Sequence, residues 1–327
     1  MKFFVTGATG FLGTGLVNEL VARGHQIHFL SRDPFKVNYF KNKNVRFFLG
    51  DVLDIVKIEE AMTGCDYVFH LAGCVKACTK KPDTFYEINV LGTKNVLETA
   101  RKLSIKKMII TSTAGIFGPS TDGIIIETTI RNIDYFNEYE KTKSQAEEIA
   151  LEYARKGQNI VIVNPTRIYG PGPLTEGNTL TLLIKKYSEG KWRFVPGNGE
   201  TIGNYVYIDD VVQGHILAME KGKSGEKFIL GGSNASYSDI ICTIDNIQKK
   251  KHRIIKVPIF LIFTFVWIKV IVSNFFGKPP QVTFGWVKKL LNDWNTSNEK
   301  AMQVLGYEPT NLETGIKKTL NWLNNLN

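Results

Sequence analysis

A chain of 327 residues, 43% hydrophobic and 22% charged, has the composition of a globular protein large enough for one big domain or two joined ones. Its net charge of +10 raises nucleic acid, an anionic membrane surface and a phosphorylated ligand as partners. Nucleic acid is not expected, because the Lys residues are scattered and runs such as Lys41-Asn42-Lys43 and Lys249-Lys250-Lys251 have no interleaved aromatics to stack bases.

Apolar runs of strand length alternate with longer amphipathic stretches through the first half, the pattern of βαβ units and a parallel sheet. The strands read as Lys2–Thr6, Gln26–Leu30, Val45–Gly50, Tyr67–Leu71, Lys107–Ser112 and Asn159–Asn164. The helices read as Phe11–Arg23, Ile55–Met62, Asp83–Leu103 and Glu138–Lys156. This is an α/β, doubly wound parallel sheet, whose ligands lie at the carboxyl ends of the strands. After Pro165 prolines and glycines break the alternation; Val206–Ile208 and Phe228–Leu230 read as strands around a helix over Asp210–Lys221. The domains are then 1–165, a dinucleotide-binding unit, and 166–327, a smaller and mainly helical substrate lobe, with 209–221 packing back on the first.

The four cysteines, Cys65, Cys74, Cys78 and Cys242, form no CxxC pair and have no His cluster beside them. Reduced thiols, no metal and a cytoplasmic setting are expected. The start of the chain runs straight into a glycine loop and reads as no signal peptide. Ile254–Phe276 is strongly apolar, but Lys256 and Lys269 bracket only 12 residues and Pro258 lies inside, against about 20 for a span. A core helix, a substrate-cavity helix or peripheral membrane contact through 258–272 are the readings left open.

The first strand ends in Thr6-Gly7-Ala8-Thr9-Gly10-Phe11-Leu12-Gly13. Gly7, Gly10 and Gly13 allow a tight turn and a close approach of backbone to phosphate. The helix opening at Phe11 offers free N–H groups and a positive dipole end to a pyrophosphate. At the end of the second strand an NAD site carries an acid for the ribose hydroxyl, whereas an NADP site carries a cation for the 2′-phosphate. Leu30-Ser31-Arg32-Asp33 puts Ser31 where the acid belongs and Arg32 next, favouring NADP with NAD still open. Asp51, after the third strand, is placed to reach the adenine.

Tyr139 and Lys143, four apart on a helix, share one face. Lys143 can hold the nicotinamide ribose and lower the Tyr139 pKa, making the phenol an acid or base near neutrality. Tyr39/Lys43 and Tyr187/Lys191 share the spacing, but only Tyr139 follows a strand ending in hydroxyls, Thr111-Ser112-Thr113. Ser112 or Thr113 can then bind the substrate oxygen.

Those motifs, with His70-Leu71-Ala72-Gly73, Asn89-Val90-Leu91-Gly92-Thr93, Asn164-Pro165 and Tyr205-Val206-Tyr207-Ile208-Asp209-Asp210-Val211, resemble the extended short-chain dehydrogenase/reductase family over almost the whole length. The resemblance implies a Rossmann fold and a catalytic set of Thr113, Tyr139, Lys143 and Asn89. It also implies cofactor contacts at Gly7, Thr9, Gly10, Phe11, Leu12, Gly13, Arg32, Asp51, Val52, Leu71, Ala72, Gly73, Tyr139, Lys143, Pro165 and Ile168. Family members often pair as homodimers through helices of the first domain. The hydroxyl position is usually Ser in this family; here it is Thr113.

Two departures speak against the sugar-nucleotide branch. Dehydratases place Thr-Asp-Glu where this chain has Thr113-Ala114-Gly115, and sugar-nucleotide enzymes tend to carry an Arg where Gly203 stands. Ser112-Thr113-Ala114-Gly115 and Ser31-Arg32-Asp33-Pro34 resemble the dihydroflavonol 4-reductase-like group, and Gly214-His215-Ile216-Leu217-Ala218 the 3β-hydroxysteroid dehydrogenase group. His25, His28, His215 and His252 read as surface or packing residues. The expected activity is an NADP(H)-dependent interconversion of ketone and secondary alcohol on a largely apolar small molecule. The alternatives are a nucleotide-sugar epimerase and, more remotely, a non-catalytic NADP-binding redox-sensor module.

Overall fold

Short runs of β-branched and aromatic residues, bounded by Gly, Asp and Asn, become the strands of one parallel sheet. The computed structural model describes residues 1–76, 78, 79, 81, 83–174, 176–276, 280 and 282–326. The first half runs β1 (Lys2–Thr6), α1 (Phe11–Ala22), β2 (Gln26–Ser31), β3 (Val45–Leu49), α2 (Ile55–Met62) and β4 (Tyr67–His70). The helix expected over Asp83–Leu103 is three pieces: α3 (Thr84–Tyr86), a π-helical turn Glu87–Leu91, and α4 (Gly92–Lys102). Then come β5 (Lys107–Thr111), α5 (Glu138–Arg155), β6 (Ile160–Pro165) and β7 (Arg167–Tyr169).

The remainder runs α6 (Thr179–Ser188), β8 (Phe194–Pro196), β9 (Ile202–Tyr207), α7 (Ile208–Lys221), β10 (Lys227–Leu230), β11 (Ser233–Ser236) and α8 (Tyr237–Gln248). It ends with β12 (Ile255–Val257), α9 (Ile259–Phe275), α10 (Phe284–Leu291) and α11 (Leu312–Asn324). The strand expected at Val206–Ile208 begins earlier, at Ile202, because it pairs with β7 and β11 over that length.

The large sheet has seven strands in the order β10-β6-β5-β4-β1-β2-β3, all six pairings parallel. Strand order reverses between β1 and β4, so the crevice at a topological switch point opens beyond Thr6 and His70. β6 is buried at all six positions, as a strand covered on both faces must be. One face packs Leu16, Val17 and Leu20 of α1 with Val211, Val212 and Ile216 of α7; the other packs Ile58, Met62, Val96, Leu97 and Ala150. The buried Lys107 ammonium donates to the carbonyls of Met219 (2.5 Å) and Gly222 (2.7 Å), tying the end of α7 to β5.

Away from the large sheet, a smaller core gathers Tyr169, Tyr187, Tyr207, Ile240, Ile316 and Leu320 against the sheet β11-β9-β7. A further pair of strands, β8 and β12, runs parallel. The expectation of a core helix at Ile259 is corrected: α9 forms, but among its described side chains Val266 alone is buried, and ten large apolar side chains from Ile259 to Phe276 are more than 40% exposed.

Candidate active site

The crevice is built first by glycine. Gly7 ends β1 at φ +70°, and a Cβ there would lie 2.7 Å from the Ala72 nitrogen and 2.8 Å from the Leu71 carbonyl carbon. Position 13 is tighter still, its Cβ falling 2.1 Å from the Gly7 carbonyl oxygen. Gly10 caps α1 with no side-chain bond, and no acid stands in that first turn. With the Gly10 N–H committed to the Gly7 carbonyl (3.0 Å), the first-turn N–H groups of α1, the helix dipole and the absence of side-chain bulk fit a pyrophosphate. Thr9 is half-buried in the loop, while Phe11 and Leu12 pack into the cores and pin the helix there.

At the other end of the dinucleotide crevice, β2 and β3 bring Arg32 and Asp51 together, Nε to Oδ2 at 3.5 Å, with the Arg32 side chain 71% exposed. Asp33 is occupied locally, accepting from the Phe35 N–H at 3.0 Å. Asp51 also accepts from the Leu53 N–H at 3.1 Å, which fixes the turn that carries the buried Val52. Val52 in turn lies against Gly92, where a Cβ would come 2.7 Å from its methyl group.

A buried polar chain then links the glycine loop to the π-helical turn. The Ala72 N–H donates to Thr6 Oγ1 (3.2 Å), which lies 2.7 Å from His70 Nδ1; His70 Nε2 lies 2.9 Å from Thr93 Oγ1, which donates to the Asn89 carbonyl (2.6 Å). Because the Thr93 proton is committed to Asn89, Nε2 must carry the His70 hydrogen and Nδ1 must accept from Thr6. Burial, with Lys143 nearby, pulls His70 down to about 3, so the ring stays neutral. Asn89 itself accepts from the Cys74 N–H (2.7 Å) and donates to Thr142 (2.9 Å), on the turn of α5 beside Lys143. A Cβ on Gly73 would approach both Asn89 Oδ1 (3.2 Å) and Lys143 Nζ (4.0 Å), so β4, the π-helical turn and α5 converge there.

Tyr139 and Lys143 lie one turn apart near the start of α5, which Asn137 caps by accepting from the Glu140 N–H. Thr113 caps the short helical turn after β5, its Oγ1 accepting from the Gly115 N–H at 3.2 Å, and its side chain lies beside the Tyr139 phenol. The Lys143 ammonium donates to the Thr111 carbonyl at 2.5 Å. The expected lowering of the Tyr139 pKa does not occur: burial pushes the phenol up to about 12, against the opposing influence of the Thr113 side chain, with Glu140 and Cys74 adding to the rise. Lys143 pays the desolvation instead, burial pulling it down to about 8 while Glu147 opposes the fall. Behind it Asn164 donates to Glu147 (2.8 Å), Pro165 ends β6, and Ile168 on β7 packs against both neighbouring cores. His215 is buried, bonded to the Val211 carbonyl and Thr111 Oγ1, in a packing role.

Two functional features escape the sequence reading. Glu140, wholly buried beside Tyr139, pairs with Arg131 (3.1 Å) and with Lys289 of α10 (2.8 Å), joining the site to an element 149 positions further along. Arg167 sends its guanidinium into the space that Gly203 leaves: a Cβ at 203 would lie 2.6 Å from Nη1. It donates to Tyr205 Oη at 3.2 Å, and its buried Nη2 has no hydrogen-bond partner among the described residues. The charge expected to be missing at position 203 is therefore supplied from the adjacent strand. The vacancy of position 203 was the only signal in the sequence.

Residues 3–231 match the model of the NAD dependent epimerase/dehydratase family. The chain is 30% identical to a putative dihydroflavonol 4-reductase of Synechocystis sp., over 99% of this chain and 94% of that one. It is 32% identical to the decarboxylating sterol-4-alpha-carboxylate 3-dehydrogenase of Homo sapiens, over 66% of this chain and 57% of that one. A solved UDP-glucose 4-epimerase of Thermotoga maritima, with UDP-glucose, superposes at a TM-score of 0.82 and 25% identity, covering 100% of this chain and 99% of that one.

Proposed function

The chain belongs to the NAD dependent epimerase/dehydratase family, and from that membership we propose that it is an NADP(H)-dependent reductase interconverting a ketone and a secondary alcohol on a largely apolar substrate. It is an NAD(P)-dependent oxidoreductase of the extended short-chain dehydrogenase/reductase type, in keeping with its reductase and dehydrogenase relatives. The observation that carries the finer reading is the Tyr139 phenol set beside Thr113 and one helical turn from the buried Lys143.

When bound, the nicotinamide dinucleotide supplies or takes the hydride at the carbinol carbon. Thr113 orients the substrate oxygen, and Tyr139 gives it a proton as negative charge develops there. With its pKa raised to about 12, the phenol is protonated at neutral pH and suited to the acid role that reduction requires. Lys143, a cation below about 8, holds the ribose and stabilises the phenolate left behind. Asn89, fixed by Cys74 and Thr142, holds the π-helical turn from which water can return the proton. The NADP preference is supported by the exposed Arg32, held among the described residues by one 3.5 Å contact to Asp51, and by the absence of an acid at position 31.

One observation favours a second reading, a nucleotide-sugar epimerase: Arg167 restores a buried cation beside position 203, where a diphosphate or another anionic group can be gripped. The two are separated by supplying NADPH with a panel of steroid and flavonoid ketones, and UDP-sugars in parallel. Net NADPH oxidation with ketones, lowered about 10²- to 10⁴-fold in Tyr139→Phe, is expected. Epimerised UDP-sugar without net NADPH consumption would overturn the reductase reading. Unchanged turnover in Tyr139→Phe would overturn the role of the phenol.

A further inference from the structure

Independently of the reaction, one surface is wrong for water. α9 carries no side of polar residues: Phe260, Leu261, Phe265, Trp267, Ile268 and Ile271 are each more than 45% exposed. Only a narrow stripe turns inward, with Val266 buried and Phe263 stacked on Phe284 of α10 (centroids 6.2 Å, 13°). An apolar face this continuous marks a binding surface.

The face continues onto the β8–β12 ribbon. Ile255 pairs in register with Phe194, and both are about half exposed. The ribbon meets the helix directly, since the Gly197 N–H donates to the Val257 carbonyl at 2.9 Å and a Cβ on Gly197 would touch Ile259. Cations rim it. Lys249, Lys250, Lys251, Arg253 and Lys256 are exposed just ahead of α9, Arg193 flanks Phe194, and Lys269 lies over the Phe265 ring. Between Asp245 and Asp293 the sequence holds nine Lys and Arg residues and no acid.

We propose that α9 and the β8–β12 ribbon form a docking surface for an anionic lipid bilayer, with α9 lying in the interface plane. No helix among the described residues is long and apolar enough to cross a membrane, and α9, at 17 residues, falls short of the about 20 a span needs. A second copy of the chain is the wrong occupant, because a two-fold contact would press two predominantly cationic rims together. An anionic headgroup layer neutralises that rim while the acyl boundary takes the aromatic and aliphatic side chains, and the lysines reach back to the headgroups.

The test is flotation of the full chain with vesicles of equimolar phosphatidylglycerol and phosphatidylcholine, and with pure phosphatidylcholine. Binding to the anionic vesicles, weakened by salt, is expected. The Lys249→Glu/Lys250→Glu/Lys251→Glu variant should lose at least about a hundredfold in partition. Trp267→Phe should keep binding but show clearly less fluorescence quenching by brominated lipid, Trp192 beside Phe194 supplying the remainder, a readout that no folding defect imitates. Failure to float, equal binding to neutral vesicles, undiminished quenching in Trp267→Phe, or sedimentation as a dimer that Trp267→Glu dissociates would each overturn the proposal.

Discussion

Replacing Lys143 by Met should relieve a cost that the fold carries for the sake of the site. Burial takes the ammonium from its ordinary 10.5 down to about 8. A depressed lysine pKa means that between about pH 8 and 10.5 the unfolded chain still holds a proton the native protein has released. Stability therefore rises with pH across that window and is flat with respect to this group below it. The displacement corresponds to about 3 kcal/mol. The variant has no such group, so its stability relative to wild type should be highest at pH 7 and fall by that amount by pH 10.5. For 327 residues, an unfolding entropy of about 2 cal/mol/K per residue makes the change about 4 °C in Tm. Glu147 is not left alone in the variant, because Asn164 and Lys227 still contact it. The assay is a pair of thermal melts without cofactor at a series of pH values, where every other titrating group cancels between the two proteins. A Tm difference that does not change with pH would show that Lys143 bears no desolvation cost and would remove the basis for its tuned charge.

Gly13→Ala would force a methyl to within 2.1 Å of the Gly7 carbonyl, and about 1–3 kcal/mol of overpacking should raise the dinucleotide Kd ten- to hundredfold in a fluorescence titration. Arg32→Ala should weaken NADPH by a similar factor while leaving NADH within about twofold, as one charge-assisted contact is worth about 1.5–3 kcal/mol; equal loss for both would return the preference to NAD. Glu140→Ala strands Arg131 and Lys289, and should lower stability by about 3–5 kcal/mol, read as a lower urea midpoint at unchanged slope.

What the chain order alone determines is whatever depends on short spacing. Gly7, Gly10 and Gly13 act within seven positions, Tyr139 and Lys143 within one helical turn, and each of the first six strands is a local apolar run with its own boundaries. Such features are set by backbone conformation and periodicity, so they are legible before any folding. Tertiary structure alone decided the rest. Arg167 occupies the space at Gly203 because β7 and β9 pair in parallel, and Lys289 meets Glu140 because α10 returns to the start of α5. The direction of the Tyr139 shift likewise reverses the local expectation: a lysine one turn away is a matter of spacing, but desolvation is summed over everything packed around the phenol. α9 is the same lesson at larger scale, since its apolar composition reads equally as core or surface until the packing of the other elements leaves it outside.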